Sequence, residues 1–418
     1  MTGRRLAAVP LAACLLLAVS GCPADGGPPE PSATSAAPRP ALPTTASTDL
    51  PPYGGPPAGA PASVGPLTRV RAAVDLTPAT PGVFARLVSA VATPDGGAYA
   101  LLSPADRAAP QSLVSVAGNA VAGTVPLPRV DDVWGMHLLA GGSVAVAGRL
   151  GDEGYGVRVV DPATGAVRTT VVAPAGDGDR AADGRAALLV GASTLYLFFS
   201  VERDDGTSDV LASVDAATGQ VLEVRDVGED VAAASRYPVG GQLAGLVARP
   251  DGGATLVFDA SPTDVAEDRI PTVLTFDADL APVGEPVRVT DLAEGAETQS
   301  VAGAPDGTVF LVVAVRDGAW ILGVQDGGGA GPLLAQLEDR VYGYALAVEP
   351  AQVWAVLPAP TGALAVDLTT GQTRGPLPVG CAPRLDVRDL YPAPGGALMI
   401  GECDTPREDT QLLWFLAP

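Results

Sequence analysis

The phrase VDPATGAV occupies residues 160–167, and two close copies follow it, VDAATGQV at 214–221 and VDLTTGQT at 366–373. An Asp at the second position of the phrase can accept backbone N–H groups, and the Gly supplies the positive φ that closes a pair of strands. Looser versions of the phrase occupy residues 116–121, 276–283 and 324–331. The chain therefore predicts one kind of β-hairpin that recurs along its length.

A second turn, of the type PDGG, alternates with the first. It occupies residues 94–97, 140–143, 190–193, 250–253, 305–308, 349–352 and 394–397. Two hairpins in a unit of about fifty residues are typical of one four-stranded blade, with strands A to D. The PDGG type would join strands A and B, and the VDPATG type would join strands C and D. We predict an all-β fold, a seven-bladed β-propeller, with six or eight blades as the alternatives.

The last unit has an A–B turn but no C–D turn, so its outer strand has to come from elsewhere in the chain. Residues 68–76, TRVRAAVDL, alternate apolar and polar side chains as a half-buried edge strand does. We predict that this segment pairs with the final strand, within residues 410–418, as strand D of the seventh blade. The propeller domain then covers residues 67–418 and is closed by strand 68–76.

The N-terminus, MTGRRLAAVPLAACLLLAVSGC, has two arginines followed by a short apolar stretch. This pattern predicts a secretory signal peptide over residues 1–21. Residues 19–22, Val-Ser-Gly-Cys, resemble the lipobox of bacterial lipoproteins. The resemblance implies that Cys22 is acylated and becomes the mature N-terminus, so that the membrane is a partner through the lipid. The expected location is the extracytoplasmic face of the cell membrane, lipid-anchored, and the alternative is an ordinary cleaved signal peptide.

Residues 22–66 are rich in Pro, Ala and Gly, and we predict a lipidated N-terminus followed by a disordered tether. Of the four cysteines, Cys14 leaves with the signal peptide and Cys22 takes the lipid. Cys381 and Cys403 remain, and such a pair normally oxidises outside the cytoplasm. We predict a disulfide between Cys381, in the connection into the seventh blade, and Cys403, in the B–C loop of that blade.

The charge of the chain bears on its partners. Lys+Arg number 25 against Asp+Glu 47, which gives a formal net charge of -22. A surface this acidic repels phosphate backbones, so no nucleic acid partner is expected. After residue 21 no apolar run is long enough to span a bilayer.

The repeats resemble those of quinoprotein-like and YVTN-like propellers, which share a D-x-x-T-G turn, over residues 67–418. The resemblance implies the fold, which unrelated functions share. Quinoprotein repeats usually place Trp four residues after the turn Gly, where this chain has Thr169, Glu223 and Gly375. No cofactor is therefore predicted.

Few residues suggest catalysis or metal binding. His137 is the only imidazole, and we interpret it as a hydrogen-bonded structural residue rather than a base or ligand. The acidic stretches 175–184 and 202–209 lack the ligand pattern of a calcium loop. We predict no catalytic residue and no metal site; whether the protein is an enzyme stays uncertain, with a non-enzyme favoured.

The most promising surface follows from strand direction. A–B and C–D turns emerge on one face, and B–C and D–A connections emerge on the other, where arginines, acids and tyrosines cluster. The partner-binding candidates are Arg129, Asp132, Arg236, Tyr237, Arg340, Tyr342, Tyr344, Arg384 and Arg388. The alternative is that these charges neutralise one another between blades.

Two hypotheses about function follow. The first is a membrane-anchored extracytoplasmic lipoprotein that presents its propeller as a binding or scaffolding module for an envelope protein or glycan. The second is an extracytoplasmic propeller enzyme, a lyase or a quinone-type dehydrogenase, for which His137 and several carboxylates would have to converge at the channel.

Overall fold

The computed structural model describes residues 67–80, 85–176, 179–189, 192–203, 206–234, 242–260, 270–289, 296–304, 307–315, 318–325, 329–337, 345–348, 354–381, 384–404 and 409–417. The predicted signal peptide and tether lie outside these ranges. The described residues form seven antiparallel four-stranded sheets, which are the seven blades of a β-propeller. The predicted all-β, seven-bladed fold is therefore confirmed.

The strands follow the order of the chain. The first strand is β1 (Arg69–Asp75), and blades 1 to 3 contain, in order, β2 (Ala85–Ala92), β3 (Ala98–Pro104), β4 (Gln111–Ala117) and β5 (Ala120–Leu127); β6 (Asp131–Leu138), β7 (Val144–Arg149), β8 (Tyr155–Val160) and β9 (Val167–Ala173); β10 (Arg180–Leu188), β11 (Thr194–Arg203), β12 (Gly206–Asp215) and β13 (Gln220–Asp226). Blades 4 to 6 contain β14 (Gln242–Ala248), β15 (Ala254–Ala260), β16 (Ile270–Phe276) and β17 (Val287–Arg288); β18 (Glu297–Gly303), β19 (Val309–Val315), β20 (Gly318–Gln325) and β21 (Gly329–Leu337); β22 (Ala347–Val348), β23 (Trp354–Ala359), β24 (Gly362–Asp367) and β25 (Thr373–Pro378). Blade 7 contains β26 (Arg384–Ala393), β27 (Gly396–Asp404) and β28 (Asp409–Ala417).

Helix is scarce in this fold. The described residues contain one α-helix, α1 (Gly228–Ala234), between blades 3 and 4, and two 3-10 turns, Thr77–Ala79 and Gly151–Glu153. Within the same ranges, no helix has the length and apolarity needed to cross a membrane.

Strand β1 completes the seventh blade. It pairs antiparallel with β28, with Arg69 opposite Ala417 and Val74 opposite Leu413. The sheet order is β1-β28-β27-β26, so β1 is the outer strand, as the sequence predicts. The seam between the two ends of the domain therefore consists of backbone hydrogen bonds and of apolar side chains such as Val74, which is buried.

The repeated phrase forms the C–D turns, and its Asp organises each of them. In blade 2, Asp161 Oδ1 accepts a hydrogen bond from the Ala163 backbone N at 2.9 Å, and Thr164 Oγ1 donates to Asp161 Oδ2 at 2.7 Å. The backbone N of Gly165 donates to Asp161 O at 2.8 Å. The Thr164 hydroxyl holds the pKa of the Asp161 carboxyl below its usual range. Blades 3 and 6 repeat this geometry at Asp215 and Asp367.

The same turns also contact the outer strand of the preceding blade. Thr170 Oγ1, on β9 of blade 2, donates to Gly219 O at 3.2 Å, and Arg168 of the same strand donates to Ala216 O. A Cβ on Gly371 would lie 2.6 Å from Leu334 O of β21. The phrase recurs because each copy closes its own hairpin and contacts the outer strand of its neighbour.

The apolar core lies between the blades. One buried cluster joins Leu413 of blade 7, Leu101 of blade 1 and Val146 of blade 2. Between blades 2 and 3, the ring of Phe199 stacks on Trp134 and on Tyr155 with centroids 5.2 Å apart in both pairs. Burial of both faces of each sheet makes neighbouring blades depend on each other for most of their apolar contacts.

A disulfide joins Cys381 and Cys403, with 5.7 Å between their Cα atoms, and confirms the predicted bridge. Cys381 precedes β26, as expected. The placement of Cys403 in the B–C loop was wrong, because it lies within β27. There Cys403 pairs with Leu385 of β26 on one side and with Thr410 of β28 on the other. Because both neighbouring strands pair with it, β27 continues through Cys403 instead of ending before it.

Candidate functional site

The inner strands of the seven blades surround a central cavity of about 430 Å³. Every blade contributes to its lining, through β2, β6, β10, β14, β18 and β26 and through residues of and beside β22. The blades themselves are held by buried apolar contacts, so the cavity wall is rigid. A cavity of this size falls within the range of sites for small molecules.

A β-bulge in the inner strands determines which side chains reach this cavity. The pairing of the first and second strands shifts register by one residue in five blades, between Leu87 and Ser89, Ala181 and Asp183, Leu243 and Gly245, Thr298 and Ser300, and Val387 and Asp389, and by two residues in blade 2, between Asp131 and Gly135. An extra residue in one strand reverses the alternation of faces beyond it. Beyond their bulges, β26 therefore presents Asp389 and Tyr391 to the cavity, and β2 presents Ser89.

Asp389 is the only acidic residue in the described lining of the cavity. Its Oδ1 accepts a hydrogen bond from the Leu390 backbone N at 2.8 Å. Protein atoms surround the carboxyl group almost completely. The residue keeps a small accessible surface because it lies on the wall of the cavity. Burial raises the pKa of Asp389 to about 6, although hydrogen bonds from Tyr391 and Leu390 and the charge of Arg185 act in the opposite direction.

Tyr391 links this carboxyl group to blade 1. Its hydroxyl lies 3.0 Å from Ser89 Oγ. Burial, followed by the neighbouring charge of Asp389, raises the pKa of Tyr391 well above its usual value, so the phenol stays protonated at physiological pH. When the Tyr391 hydroxyl donates to Asp389, Ser89 is the donor to Tyr391. A short chain of hydrogen bonds therefore runs from blade 1 to the buried carboxylate.

Arg185, on β10 of blade 3, brings a positive charge to the same cavity. Its Nη1 donates to Asp183 Oδ1 and to Gly184 O, both at 2.8 Å. The strand passes close to Trp134, because a Cβ on Gly184 would lie 2.3 Å from the indole ring. Nε and Nη2 of Arg185 have no partner among the described residues, and 41% of the side chain is accessible.

The rest of the wall is mixed. Blades 4 to 6 contribute the apolar residues Leu243, Leu246, Val301, Leu346 and Val348, together with Gln299 and Ser300. The charged and hydroxyl groups of Asp389, Tyr391, Ser89 and Arg185 belong to blades 7, 1 and 3. The lining thus combines separated charges of opposite sign with an apolar surface.

His137 takes no part in this polar group. Its Nε2 lies 3.2 Å from Ala186 O on the neighbouring inner strand. Burial lowers the pKa of His137 to about 4, so the ring is neutral at physiological pH. The described structure therefore does not bring His137 together with several carboxylates. Among the described residues, no group of three or more His, Cys, Asp and Glu side chains is placed to hold a metal ion.

Some of the residues predicted for partner binding lie at the start of inner strands. Arg129 Nε forms an ion pair with Asp131 at 2.8 Å, and its Nη1 donates to Asp106 O at 3.1 Å. Asp132 is exposed, with a positive φ of 46°. Arg388 is largely buried inside blade 7, where it contacts Glu402 and donates to Leu87 O at 3.3 Å.

The other predicted residues are less informative. Arg384 begins β26. The remaining candidates lie outside the described residues, and they are Arg236, Tyr237, Arg340, Tyr342 and Tyr344. The partner-binding surface therefore stays a prediction.

Comparison with known proteins supports the fold alone. No protein-family model matches the chain, and no curated protein matches it. The β-propeller domain of the Trilobed protease from Pyrococcus furiosus, described as having an open velcro topology, is 10% identical with a TM-score of 0.51, over 79% of this chain and 95% of that one. Puromycin hydrolase is 17% identical with a TM-score of 0.53, over 79% of this chain and 52% of that one. The present chain thus corresponds to about half of the hydrolase.

The polar residues of the cavity were missed by sequence analysis. The sequence carries little signal for them, because the positions that correspond to Asp389 in other blades are also small or polar, as at Ser89, Gly135 and Asp183. Sequence analysis assigns the charged residues of β26, up to Arg388, to the partner-binding surface. The bulge at Arg388 reverses the faces, and this reversal is what directs Asp389 into the cavity.

Proposed function

We propose that the protein is a lipid-anchored, extracytoplasmic binding module that presents its propeller to an envelope protein or glycan. The proposal for location is supported by the lipobox-like residues before Cys22 and by the Cys381–Cys403 disulfide, which suits an oxidising compartment. Acylation at Cys22 would supply the membrane anchor.

The observation that carries the binding role is the difference between the two faces of the ring. Most A–B and C–D turns are short, and their polar groups are used within the turn or against the preceding blade, as at Asp161 and Gly219. The connections on the other face vary in length, from two residues between β11 and β12 to fifteen between β13 and β14, and the longest contains α1. Recognition residues tend to lie on such variable connections above a rigid scaffold.

The first experiment tests the anchor. Cells that express the protein are fed an alkyne fatty acid, and membranes are separated from soluble material. We expect the wild-type chain to carry the label and to sediment with membranes, and the Cys22→Ala variant to lose both properties. Label on the Cys22→Ala variant would contradict lipidation at this residue.

The second experiment tests the binding face by crosslinking and pull-down from intact cells. Four residues of the predicted surface are replaced together by Ala: Arg236, Tyr237, Arg340 and Tyr342. The matched control replaces Gln220 and Gln372, two exposed residues next to C–D turns on the opposite face. We expect the first variant to lose its partners and the control to retain them. Equal capture by a folded first variant would refute the assignment of the face.

A further inference from the structure

The cavity contains two charges of opposite sign that do not contact each other, a buried carboxylate and a partly accessible guanidinium. Asp389 projects from blade 7 and Arg185 from blade 3, and both line the same space. The charge of Arg185 acts on the Asp389 carboxyl only through space. A buried carboxylate without a direct cationic partner is costly, and an accessible guanidinium with open N–H groups is a ready anion site.

We propose that the cavity binds a small zwitterion with an apolar side chain, in the simplest case an α-amino acid. Its ammonium group contacts the Asp389 carboxylate, and its carboxylate contacts the open N–H groups of Arg185. Arg185 is already paired with Asp183 through Nη1, so the ligand carboxylate would occupy its remaining N–H groups. This ligand class is favoured over a neutral sugar because only a zwitterion brings an opposite charge to Asp389 and to those N–H groups at once. A simple cation would meet the repulsion of Arg185, and a simple anion would meet that of Asp389.

Other groups on the wall fit the same ligand. Ser89 of blade 1 hydrogen-bonds to the Tyr391 hydroxyl, and Tyr391 hydrogen-bonds to Asp389. These two hydrogen bonds hold the Asp389 carboxyl in place. Ala244, Val301 and Ala302, partly accessible residues on the wall of blades 4 and 5, offer an apolar surface to a side chain. A volume of about 430 Å³ accommodates such a molecule with several waters. The site depends on neither the lipid anchor nor the partner-binding face.

The first test uses three probes that differ only in charge. L-norvaline is the zwitterion, butylamine lacks its carboxylate, and pentanoate lacks its ammonium group. Isothermal titration of the full chain at pH 8 should show that L-norvaline binds about tenfold or more tightly than either analogue, since each loses one charged hydrogen-bonding contact. Equal affinities for the three probes, or no binding of L-norvaline, would overturn the proposal.

The second test assigns the two charges. Asp389→Asn should weaken L-norvaline about tenfold or more while leaving pentanoate unaffected or tighter, and Arg185→Gln should weaken L-norvaline while leaving butylamine unaffected or tighter. The control is Asp386→Asn, the same substitution at an exposed residue of the same strand outside the cavity. Variants that weaken all three probes alike would indicate a structural role and refute the assignment.

The third test uses pH. Arg185, Asp389 and Tyr391 are the ionisable side chains in the described lining, and Asp183 is paired with Arg185 beside them. Burial raises the pKa of Asp389 to about 6. The affinity for L-norvaline should therefore fall as the pH decreases through about 6. The Asp389→Asn variant should lose this dependence. A wild-type affinity that does not change between pH 8 and pH 5 would contradict an ammonium contact at Asp389.

Discussion

At the scale of single residues, Asp389 lowers the folding stability of the protein while it provides the carboxylate proposed to bind a ligand. The folded protein holds this carboxyl in a place that raises its pKa from 3.8 to about 6. At pH values below the pKa of Asp389 in the unfolded chain, the carboxyl is protonated in both the folded and the unfolded state. The residue then does not change the free energy of unfolding. As pH rises from about 4 through about 6, the unfolded chain releases the proton first, and the folded protein loses stability.

We therefore expect Asp389→Asn to stabilise the protein at pH 8 by up to about 3 kcal/mol and to change its stability little at pH 4. Urea denaturation of both proteins at the two pH values measures the difference. The exposed substitution Asp386→Asn is the control and should show no such gain. An Asp389→Asn protein that is less stable than wild type at pH 8 would mean that the carboxylate has a stabilising partner.

A second residue-scale prediction concerns two glycines of the repeated phrase. Gly165 and Gly219 have φ of 74° and 81°, so Ala at either position is strained by about 1 kcal/mol. The two sites differ in space, since the nearest atom to an added Cβ is 3.5 Å away at Gly165 (Val125 Cγ1) and 3.0 Å away at Gly219 (Arg168 Nε). Gly219→Ala should therefore lower the free energy of unfolding more than Gly165→Ala, as chemical denaturation would show. Equal losses would mean that the turn does not press on the neighbouring blade.

At the scale of elements, the seventh blade combines a covalent and a non-covalent closure. The disulfide joins the entrance of β26 to β27, while β1 is held by hydrogen bonds to β28. The bridge spans a separation of 22 residues. By the chain-entropy model, a loop of that length contributes roughly 3 kcal/mol.

We expect the double variant Cys381→Ser/Cys403→Ser to lose about 3 kcal/mol of unfolding free energy. Thiol titration of the unfolded, unreduced mature protein should find neither of these two thiols free, and both should appear after reduction. Wild-type protein melted with and without reductant gives an independent comparison. An unchanged melting temperature in reductant would show that the bridge adds nothing to the blade.

The elements also show why the fold was predictable and the cavity was not. Asp161, Thr164 and Gly165 act within one turn, so their roles can be deduced from adjacent letters of the sequence. The closing strand could be deduced as well, because the last blade had no C–D turn and therefore lacked its outer strand. The bulges have no common residue type, with Val88 in one blade and Gln299 in another, so strand alternation alone does not show which side chains face the cavity. Asp389 and Arg185 come from distant blades, and only the closed ring brings them together.

At the scale of the whole molecule, the net charge of -22 is the dominant property. Carboxylates on a compact body repel one another more strongly than they do along an extended chain, so the folded state is penalised at low salt. Raising the ionic strength from about 0.01 M to about 0.1 M shortens the screening length from about 30 Å to about 10 Å.

We expect the melting temperature to rise with NaCl over this range, by a few degrees, as measured by circular dichroism. Sucrose at equal osmolality is a control for effects that do not depend on charge. A melting temperature that falls with NaCl would mean that attractive ion pairs, such as Arg388 with Glu402, outweigh the general repulsion.

The position of β1 also has a mechanical consequence. Any tension applied through the chain before Leu67 reaches the propeller first at this outer strand, which has a single neighbouring strand in its sheet. The Cys381–Cys403 bridge lies on the far side of the same sheet and bears none of that load. Under pulling, the ring would therefore open by peeling one strand, with six blades intact, and would reseal when the force is released.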